Sequence, residues 1–253
     1  MIAQLVSEQG RLGIDAERFY ALASDPPAEL KAEFPMLASL PEGRSLEGFL
    51  GLGVIEVQGG TDAEGLLRTL LQRRQAEIGG LLDHALPAPL ESFYEAVILA
   101  SIVEAEAAVE EERPIIAGVF LNRLDAAQFP TRLLQADPTI IYGNDAAALR
   151  EMPINTWDQY VFWSPPAGSM RDVRLPDDLF SYQSYRSRGL PEGPIRSPTL
   201  SSIQGVLEPD TESGYLYFVT KADGTRTHAF ARTYEEHLEN VDRYVRGGGS
   251  PAP

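Results

Sequence analysis

The chain has 253 residues, no cysteine and a formal net charge of −16. This length allows one large domain or two modest ones. The acidic balance argues against a nucleic-acid groove, which needs clusters of Lys and Arg, and the lack of Cys excludes disulfides, thiol nucleophiles and Cys-bound metals. No apolar stretch reaches the length of a membrane span, so we expect the chain as given to be soluble.

Helix signals occur along most of the chain, as runs of helix-forming residues, several of which start at a capping residue. Asp15 is one such start, and the spacing of Thr61 and Glu64 is that of a capping box. The predicted helices are Met1 to Gln9, Ala16 to Ser24, Ala63 to Glu77, Phe93 to Glu112, Ile115 to Leu124, Thr199 to Leu207, and a last one from the capping box of Thr233 and Glu236 to Tyr244.

Strand signals are fewer and shorter. Val54 to Val57 is the best strand candidate in the first third of the chain. Leu216 to Thr220 and Thr227 to Ala231 predict a hairpin whose turn is Ala222 to Gly224. The expected fold is therefore α+β, with mixed helices and short strands, and a soft domain boundary falls near Leu86 to Pro89.

The helix predicted over Phe93 to Glu112 carries the most informative residue, Glu104. Apolar side chains surround most of this helix between Ala96 and Val103, which is typical of a buried helix. The helical neighbours of Glu104 are small: Ala100, Ser101 and Ala108. Such a carboxyl either forms a structural ion pair or faces a substrate cleft, where desolvation would raise its pKa. We interpret Glu110 to Glu112 as a solvated helix end, together with Glu106, which we keep as a possible helper.

The stretch from Asn144 to Asp178 predicts no regular element. Before it, Pro138 pushes Asp137 out of helical backbone into an extended or turn conformation. The stretch carries four aromatic residues, which either cover the core under a long loop or stack on a ligand. They are Trp157, Tyr160, Phe162 and Trp163. The tail Gly247 to Ser250 is expected to be flexible.

The order of several short motifs resembles the YceG-like endolytic murein transglycosylases, the MltG family. Each motif is weak alone, but all of them follow in the family's order from about Ser45 to Tyr244. They are Ser45-Leu46-Glu47-Gly48-Phe49-Leu50, Ala100-Ser101-Ile102-Val103-Glu104-Ala105-Glu106, Glu112-Arg113-Pro114, Val119-Phe120-Leu121-Asn122-Arg123-Leu124, Leu134-Gln135-Ala136-Asp137-Pro138-Thr139, Tyr142-Gly143, Tyr185, Gly189-Leu190-Pro191-Glu192-Gly193-Pro194-Ile195, Leu216-Tyr217-Phe218-Val219, His228-Ala229-Phe230 and Thr233-Tyr234-Glu235-Glu236-His237.

The resemblance implies a bacterial enzyme held by an N-terminal membrane helix, with a LysM-like subdomain and a catalytic domain on the extracytoplasmic face. It implies cleavage of peptidoglycan strands between N-acetylmuramic acid and N-acetylglucosamine, leaving 1,6-anhydro-muramic ends, with cell-wall synthesis proteins as partners. The expected division is a partial LysM-like or linker region over residues 1–45, a catalytic domain over 46–246 and a tail over 247–253.

The family's catalytic glutamate falls on Glu104, which we expect to act first as general acid and then as base. No metal or cofactor is expected. The candidate substrate-binding residues in the matching motifs are Asn122, Gln135, Asp137, Tyr142, Tyr185 and His228. Each also has a structural interpretation, such as a helix end for Asn122, a turn for Asp137 and a strand histidine for His228.

The chain departs from the family pattern at several points. Ala105 stands where a basic residue is usual, Gly51 to Ile55 replace a Phe-Pro-Asp-Thr-Tyr element, and Tyr182 to Tyr185 differ from Tyr-Asn-Thr-Tyr. These changes keep open the alternative of a non-catalytic peptidoglycan-binding scaffold. A pyridoxal-phosphate lyase is disfavoured, because neither Lys31 nor Lys221 lies where a Schiff-base lysine is expected.

Overall fold

The computed structural model describes residues 13–247, so the predicted helix Met1 to Gln9 and most of the predicted tail lie outside the described residues. The fold is α+β, as expected, with helices packed around one core and a small two-stranded sheet. The helices and strands are α1 Ala16–Ser24, α2 Ala28–Glu33, α3 Ala63–Ile78, α4 Phe93–Glu106, α5 Arg113–Leu124, α6 Asp137–Arg150, α7 Leu200–Leu207, β1 Tyr217–Thr220, β2 His228–Ala231 and α8 Tyr234–Val241, which a π turn over Asp242–Arg246 extends.

Helix α4 is the centre of the core. Every residue from Ala96 to Val103 is buried, as the apolar run predicts. The helix ends at Glu106, earlier than predicted, because Ala107 takes an extended conformation. Glu110–Glu112 form a separate 3-10 turn, and α5 starts at Arg113 with Pro114 in its first turn. The chain therefore leaves the helical path directly after Glu106, and α5 follows as a separate helix.

Helices α5 and α7 pack against α4, and the hairpin of β1 and β2 lies beyond α5. The strands pair antiparallel, with Phe218 opposite Phe230, and the predicted hairpin is confirmed. The capping box of Thr233 and Glu236 is also confirmed at the start of α8. Leucines of α3 join the same buried cluster as α4, so the core continues across Leu86 to Pro89, while the division into domains stays a prediction.

Two predictions near α3 are wrong. Val54 to Val57 form no strand: the only strands within residues 13–247 are β1 and β2, which pair with each other, and Val54 is 90% exposed. The cap of α3 is Asp62 rather than Thr61: an Asp62 carboxylate oxygen accepts from the Gly65 amide at 2.8 Å, while the Thr61 hydroxyl donates to the Gln58 carbonyl. Asp15 caps α1 as predicted, since its carboxylate accepts from the Arg18 amide.

Helix α6 is absent from the sequence-based prediction, and the extended backbone predicted for Asp137 is wrong. Asp137 is the first residue of α6, and the extended residue is Ala136, one position earlier. A carboxylate in the first turn of a helix is stabilised by the helix dipole, which favours this register. Helix α6 packs closely on the segment that follows it, since Gly143 faces Leu175 and Tyr182.

Candidate active site

The C-terminal turn of α4 presents two carboxyl groups in different surroundings. Glu104 and Glu106 are two residues apart, so their side chains leave the helix about 200° from each other. Glu104 faces the start of α7, whereas the charge of Glu106 is felt by groups on α5 and α6. The two sides of the helix end therefore have to be considered separately.

The carboxylate of Glu104 is bound by the N-terminus of α7. Its Oε2 accepts from the Thr199 amide at 3.0 Å, the Thr199 hydroxyl at 2.5 Å and the Ser202 hydroxyl at 2.7 Å. Its Oε1 lies 3.6 Å from Nη2 of Arg113, whose other terminal nitrogen binds Ser201 and Glu110. Only 18% of the side chain is exposed. Glu104 thus joins the end of one helix to the start of another.

These contacts decide the protonation of Glu104. Burial acts to raise its pKa, but the hydrogen bonds from Ser202 and Thr199 and the charge of Arg113 outweigh burial, and the pKa is lowered. The raised pKa expected from the apolar helix is therefore wrong for this residue. Three donors and a guanidinium hold Glu104 in the ionised form, as in a structural ion pair.

Glu106 has the opposite character. It is half-buried, and no hydrogen bond from a residue in the range 13–247 is among the causes that shift its pKa. Burial raises its pKa to about 7, the negative charge of Asp137 adds to this, and the positive charge of Arg123 opposes it. The interpretation of Glu106 as part of a solvated helix end is thus wrong. Glu106 exchanges its proton near neutral pH.

Three of the predicted substrate-binding residues gather on the Glu106 side. The Tyr185 hydroxyl donates to Oδ1 of Asp137 at 2.8 Å. The charge of Asp137 contributes to the raised pKa of Glu106, and the charge of Glu106 contributes to a raised pKa at Tyr185. The side-chain oxygen of Gln135 accepts a hydrogen bond from Nη1 of Arg123 at 3.4 Å. The backbone amide of Gln135 donates to the Ser184 carbonyl at 3.1 Å. Its φ of +54° is strained for a residue other than glycine, and such strain is common where a side chain is held for function.

Arg123 belongs to the same site, although the sequence analysis did not single it out. Its Nε donates to the Leu216 carbonyl at 2.6 Å, and its Nη1 donates to the Leu134 carbonyl at 2.5 Å. The guanidinium also lies 5.2 Å from the ring centres of both Phe129 and Tyr217. An arginine within an otherwise apolar helix is the signal that could have revealed it, because such a charge is costly unless it is bound.

The other predicted residues have contacts elsewhere in the structure. Asn122 is buried, and its side-chain amide donates to the carbonyls of Thr211 and Tyr215. These bonds fix the segment that leads into β1. Tyr142 packs on Tyr182 with ring centres 5.0 Å apart, and burial raises its pKa well above the usual range.

His228 is buried on β2, where both its backbone amide and Nδ1 contact the Glu112 carboxylate, at 2.8 and 2.7 Å. Glu112 is therefore buried and partnered, and its interpretation as part of a solvated end is wrong.

The aromatic residues of the loop after α6 have two roles. Trp157 covers the core, with its indole nitrogen donating to the Met152 carbonyl. Asp145 accepts from the Tyr160 hydroxyl at 2.7 Å and from the Trp163 amide at 2.9 Å, and the Trp163 ring lies 4.1 Å from the guanidinium of Arg196. The loop is thus ordered by its own contacts.

Residues 13–247 contain no group of three or more His, Asp or Glu side chains arranged to hold a metal ion. None of the helices in this range is both long enough and apolar enough to cross a membrane.

The chain is similar in sequence and in structure to known proteins. The sequence profile described as the YceG-like family matches residues 2–243. The chain is 32% identical over 157 residues to the endolytic murein transglycosylase of Bacillus subtilis strain 168, covering 61% of this chain and 35% of that protein. It is 29% identical over 260 residues to the protein of the same name from Streptococcus pneumoniae strain R6, covering 96% of this chain and 42% of that one.

The structural comparison gives the same fold. The crystal structure of a yceG-like protein from Listeria monocytogenes is 25% identical, with a TM-score of 0.65, and covers 94% of this chain and 72% of that one. The chain spans roughly two fifths or less of the length of the two transglycosylases described above.

Proposed function

The chain belongs to the YceG-like family, and we propose that it is an endolytic lytic transglycosylase that cuts peptidoglycan strands between N-acetylmuramic acid and N-acetylglucosamine. The names of its relatives support the substrate and the kind of reaction. We further propose that the acid and base of this reaction is Glu106, rather than Glu104 as the sequence suggests.

The observation that carries this assignment is the pKa of about 7 at Glu106, which lies near the hydrogen-bonded pair of Asp137 and Tyr185. A general acid works best when its pKa lies near the working pH, since it must hold a proton and also release it. Glu104 is ionised, and one of its oxygens already accepts three hydrogen bonds. A carboxyl group in that state has no proton to give.

The proposed reaction needs one carboxyl group and no added water. Protonated Glu106 gives its proton to the glycosidic oxygen as the bond to the muramic anomeric carbon breaks, through an oxocarbenium-like state. The 6-hydroxyl of the same muramic residue then bonds to that carbon and closes the 1,6-anhydro ring. Its proton passes to the Glu106 carboxylate, so the enzyme returns to its starting form.

The neighbours of Glu106 have distinct roles in this scheme. Asp137 helps to keep Glu106 protonated, because two negative charges close together are unfavourable. Arg123 limits the rise in pKa and stabilises the carboxylate after the proton has left. Gln135 and Tyr185, with Asp137, supply polar atoms that would bind the sugar next to the acid. Glu104 acts at a distance, by tying the end of α4 to α7.

The chain is also proposed to work where its substrate lies, on the extracytoplasmic face of a bacterial membrane. Attachment through an N-terminal anchor, a LysM-like unit before residue 46 and contact with cell-wall synthesis proteins are proposals drawn from the family resemblance. They are separate from the assignment of the acid.

The test compares Glu106→Gln with Glu104→Gln on purified uncrosslinked glycan strands, with products identified by mass spectrometry. We expect Glu106→Gln to keep the fold and to yield no 1,6-anhydro-muramic ends. Glu104→Gln should still cleave, with a free energy of unfolding lowered by about 1–3 kcal/mol, because a partly buried charged network is weakened.

Cleavage by Glu106→Gln at close to the parent rate would sink the assignment. If only Glu104→Gln were folded and inactive, Glu104 would regain the role that the sequence suggests. Strand binding without cleavage by the parent chain would favour the non-catalytic scaffold instead.

A further inference from the structure

Aromatic side chains form a continuous surface beside the Glu106 site. We call it the aromatic platform, and its members are Phe129, Tyr217, Tyr234 and His237. The Tyr217 ring is central: its centre lies 5.4 Å from that of His237, nearly parallel to it, 5.9 Å from that of Tyr234 and 6.1 Å from that of Phe129. The outer face is open, since Tyr234 is 56% exposed and Tyr217, His237 and Phe129 are half-buried.

Arg123 connects this platform to the acid. Its guanidinium lies 5.2 Å from the ring centres of Tyr217 and Phe129, and its charge acts on Glu106. The same charge reaches His237, where it adds to burial in lowering the pKa of the imidazole. The platform and the acid therefore both lie near one buried cation.

His237 supplies a polar group that lacks a partner. Its Nδ1 is buried and makes no hydrogen bond with any residue in the range 13–247. Because its pKa is lowered, the ring is neutral at neutral pH. A buried nitrogen without a partner is costly, and a turn of the half-buried imidazole that brings Nδ1 to a ligand hydroxyl would remove that cost.

We propose that the aromatic platform is a sugar-binding subsite for the glycan strand at a distance from the cut, with the sugar ring on Tyr234, Tyr217 packed behind Tyr234, and His237 bonded to a sugar hydroxyl once its ring turns to present Nδ1. This inference rests on the proposed function. An enzyme that cuts inside a strand must hold sugars on both sides of the acid, and the platform is continuous with the acid through Arg123. Aromatic rings with a polar edge suit a ligand that has an apolar face and hydroxyls at its rim.

The test compares long uncrosslinked strands with a short tetrasaccharide that ends before the platform, measuring kcat/KM of the full chain. Tyr234→Ala removes a stacking ring, Tyr234→Phe keeps it, and His237→Phe keeps a ring without the nitrogen. Phe180→Ala is the matched control, because Phe180 is a 44% exposed aromatic residue outside the platform. Thermal unfolding of every variant checks the fold.

For Tyr234→Ala we expect the loss on long strands to exceed the loss on the tetrasaccharide about five-fold, through KM, which corresponds to one aromatic contact. His237→Phe should show the same selective loss, and Tyr234→Phe should recover most of the efficiency. Equal losses on both substrates, or no loss on long strands, would overturn the subsite.

Binding of long strands to Glu106→Gln, with and without Tyr234→Ala, gives a second answer that needs no catalysis. If the parent chain makes no anhydro ends, the proposed function fails, and this binding measurement still decides the platform. Unchanged binding after removal of the Tyr234 ring would count against the subsite whatever the activity of the parent.

Discussion

The replacement of Asp137 by Asn tests how the protonation of Glu106 is set. The Glu106 pKa rises from 4.5 to about 7, mainly through burial, with the charge of Asp137 as the second cause. The whole rise is equivalent to about 3 kcal/mol, since one pKa unit is about 1.4 kcal/mol. Asp137→Asn keeps an oxygen for the Tyr185 hydroxyl but removes the charge. As burial is the larger cause, we expect the pKa to fall by about one.

The sign of the change in activity follows from the role of the acid. A lower pKa leaves less protonated Glu106 at neutral pH, and the protonated fraction at pH 7 falls from about one half to about one tenth. We expect kcat/KM at pH 7 to fall about four-fold more than at pH 5.5, where Glu106 stays mostly protonated in both proteins. The basic limb of the pH profile should therefore move to lower pH.

The assay is the release of anhydro-muramic ends from uncrosslinked strands between pH 5 and 9. Asp158→Asn removes an exposed carboxylate that plays no part in the titration of Glu106 and serves as the matched control. Because Asp137 is also proposed to contact sugar, the position of the limb is decisive rather than the absolute rate. A limb that stays in place, or moves to higher pH, would refute the reasoning.

Two further predictions concern stability, measured by urea unfolding. Gly118→Ala would place a methyl group against the backbone carbonyl of Asp210, and we expect a loss of about 2 kcal/mol or more, whereas Gly80→Ala meets open space and should be near neutral. His228→Ala removes the Nδ1 partner of the buried Glu112 carboxylate and should cost about 2–3 kcal/mol, a loss that Gln at the same position would partly restore. An unchanged midpoint for either Ala variant would contradict the packing described above.

Local patterns in the sequence predict local structure well. The capping box of Thr233 and Glu236 and the burial of Ala96 to Val103 depend on neighbouring residues only, and both are confirmed. Val54 to Val57 has the composition of a strand, yet a strand needs a partner, and pairing cannot be deduced from a single segment. Helix α6 was missed because Pro138 was expected to prevent helix at Asp137, whereas proline is tolerated in a first turn.

The choice between the two glutamates could not be made from the sequence. Glu104 and Glu106 share one helix turn and similar neighbours. They differ because Thr199, 95 residues after Glu104, brings its amide and hydroxyl to one of them, while Asp137 acts on the other. The raised pKa that the apolar helix predicts for Glu104 is wrong, and the tertiary contacts give a raised pKa to Glu106 instead.

The joint between α4 and α7 also sets a lower limit on the pH at which the molecule can work. Because the pKa of folded Glu104 is below its ordinary value, the joint stabilises the fold above that ordinary value and loses strength as the pH falls through the lowered one. Glu106 sets the upper limit, since its proton leaves at about pH 7. The last turn of α4 thus defines a range of pH on the acid side of neutrality in which Glu104 is ionised while Glu106 is protonated.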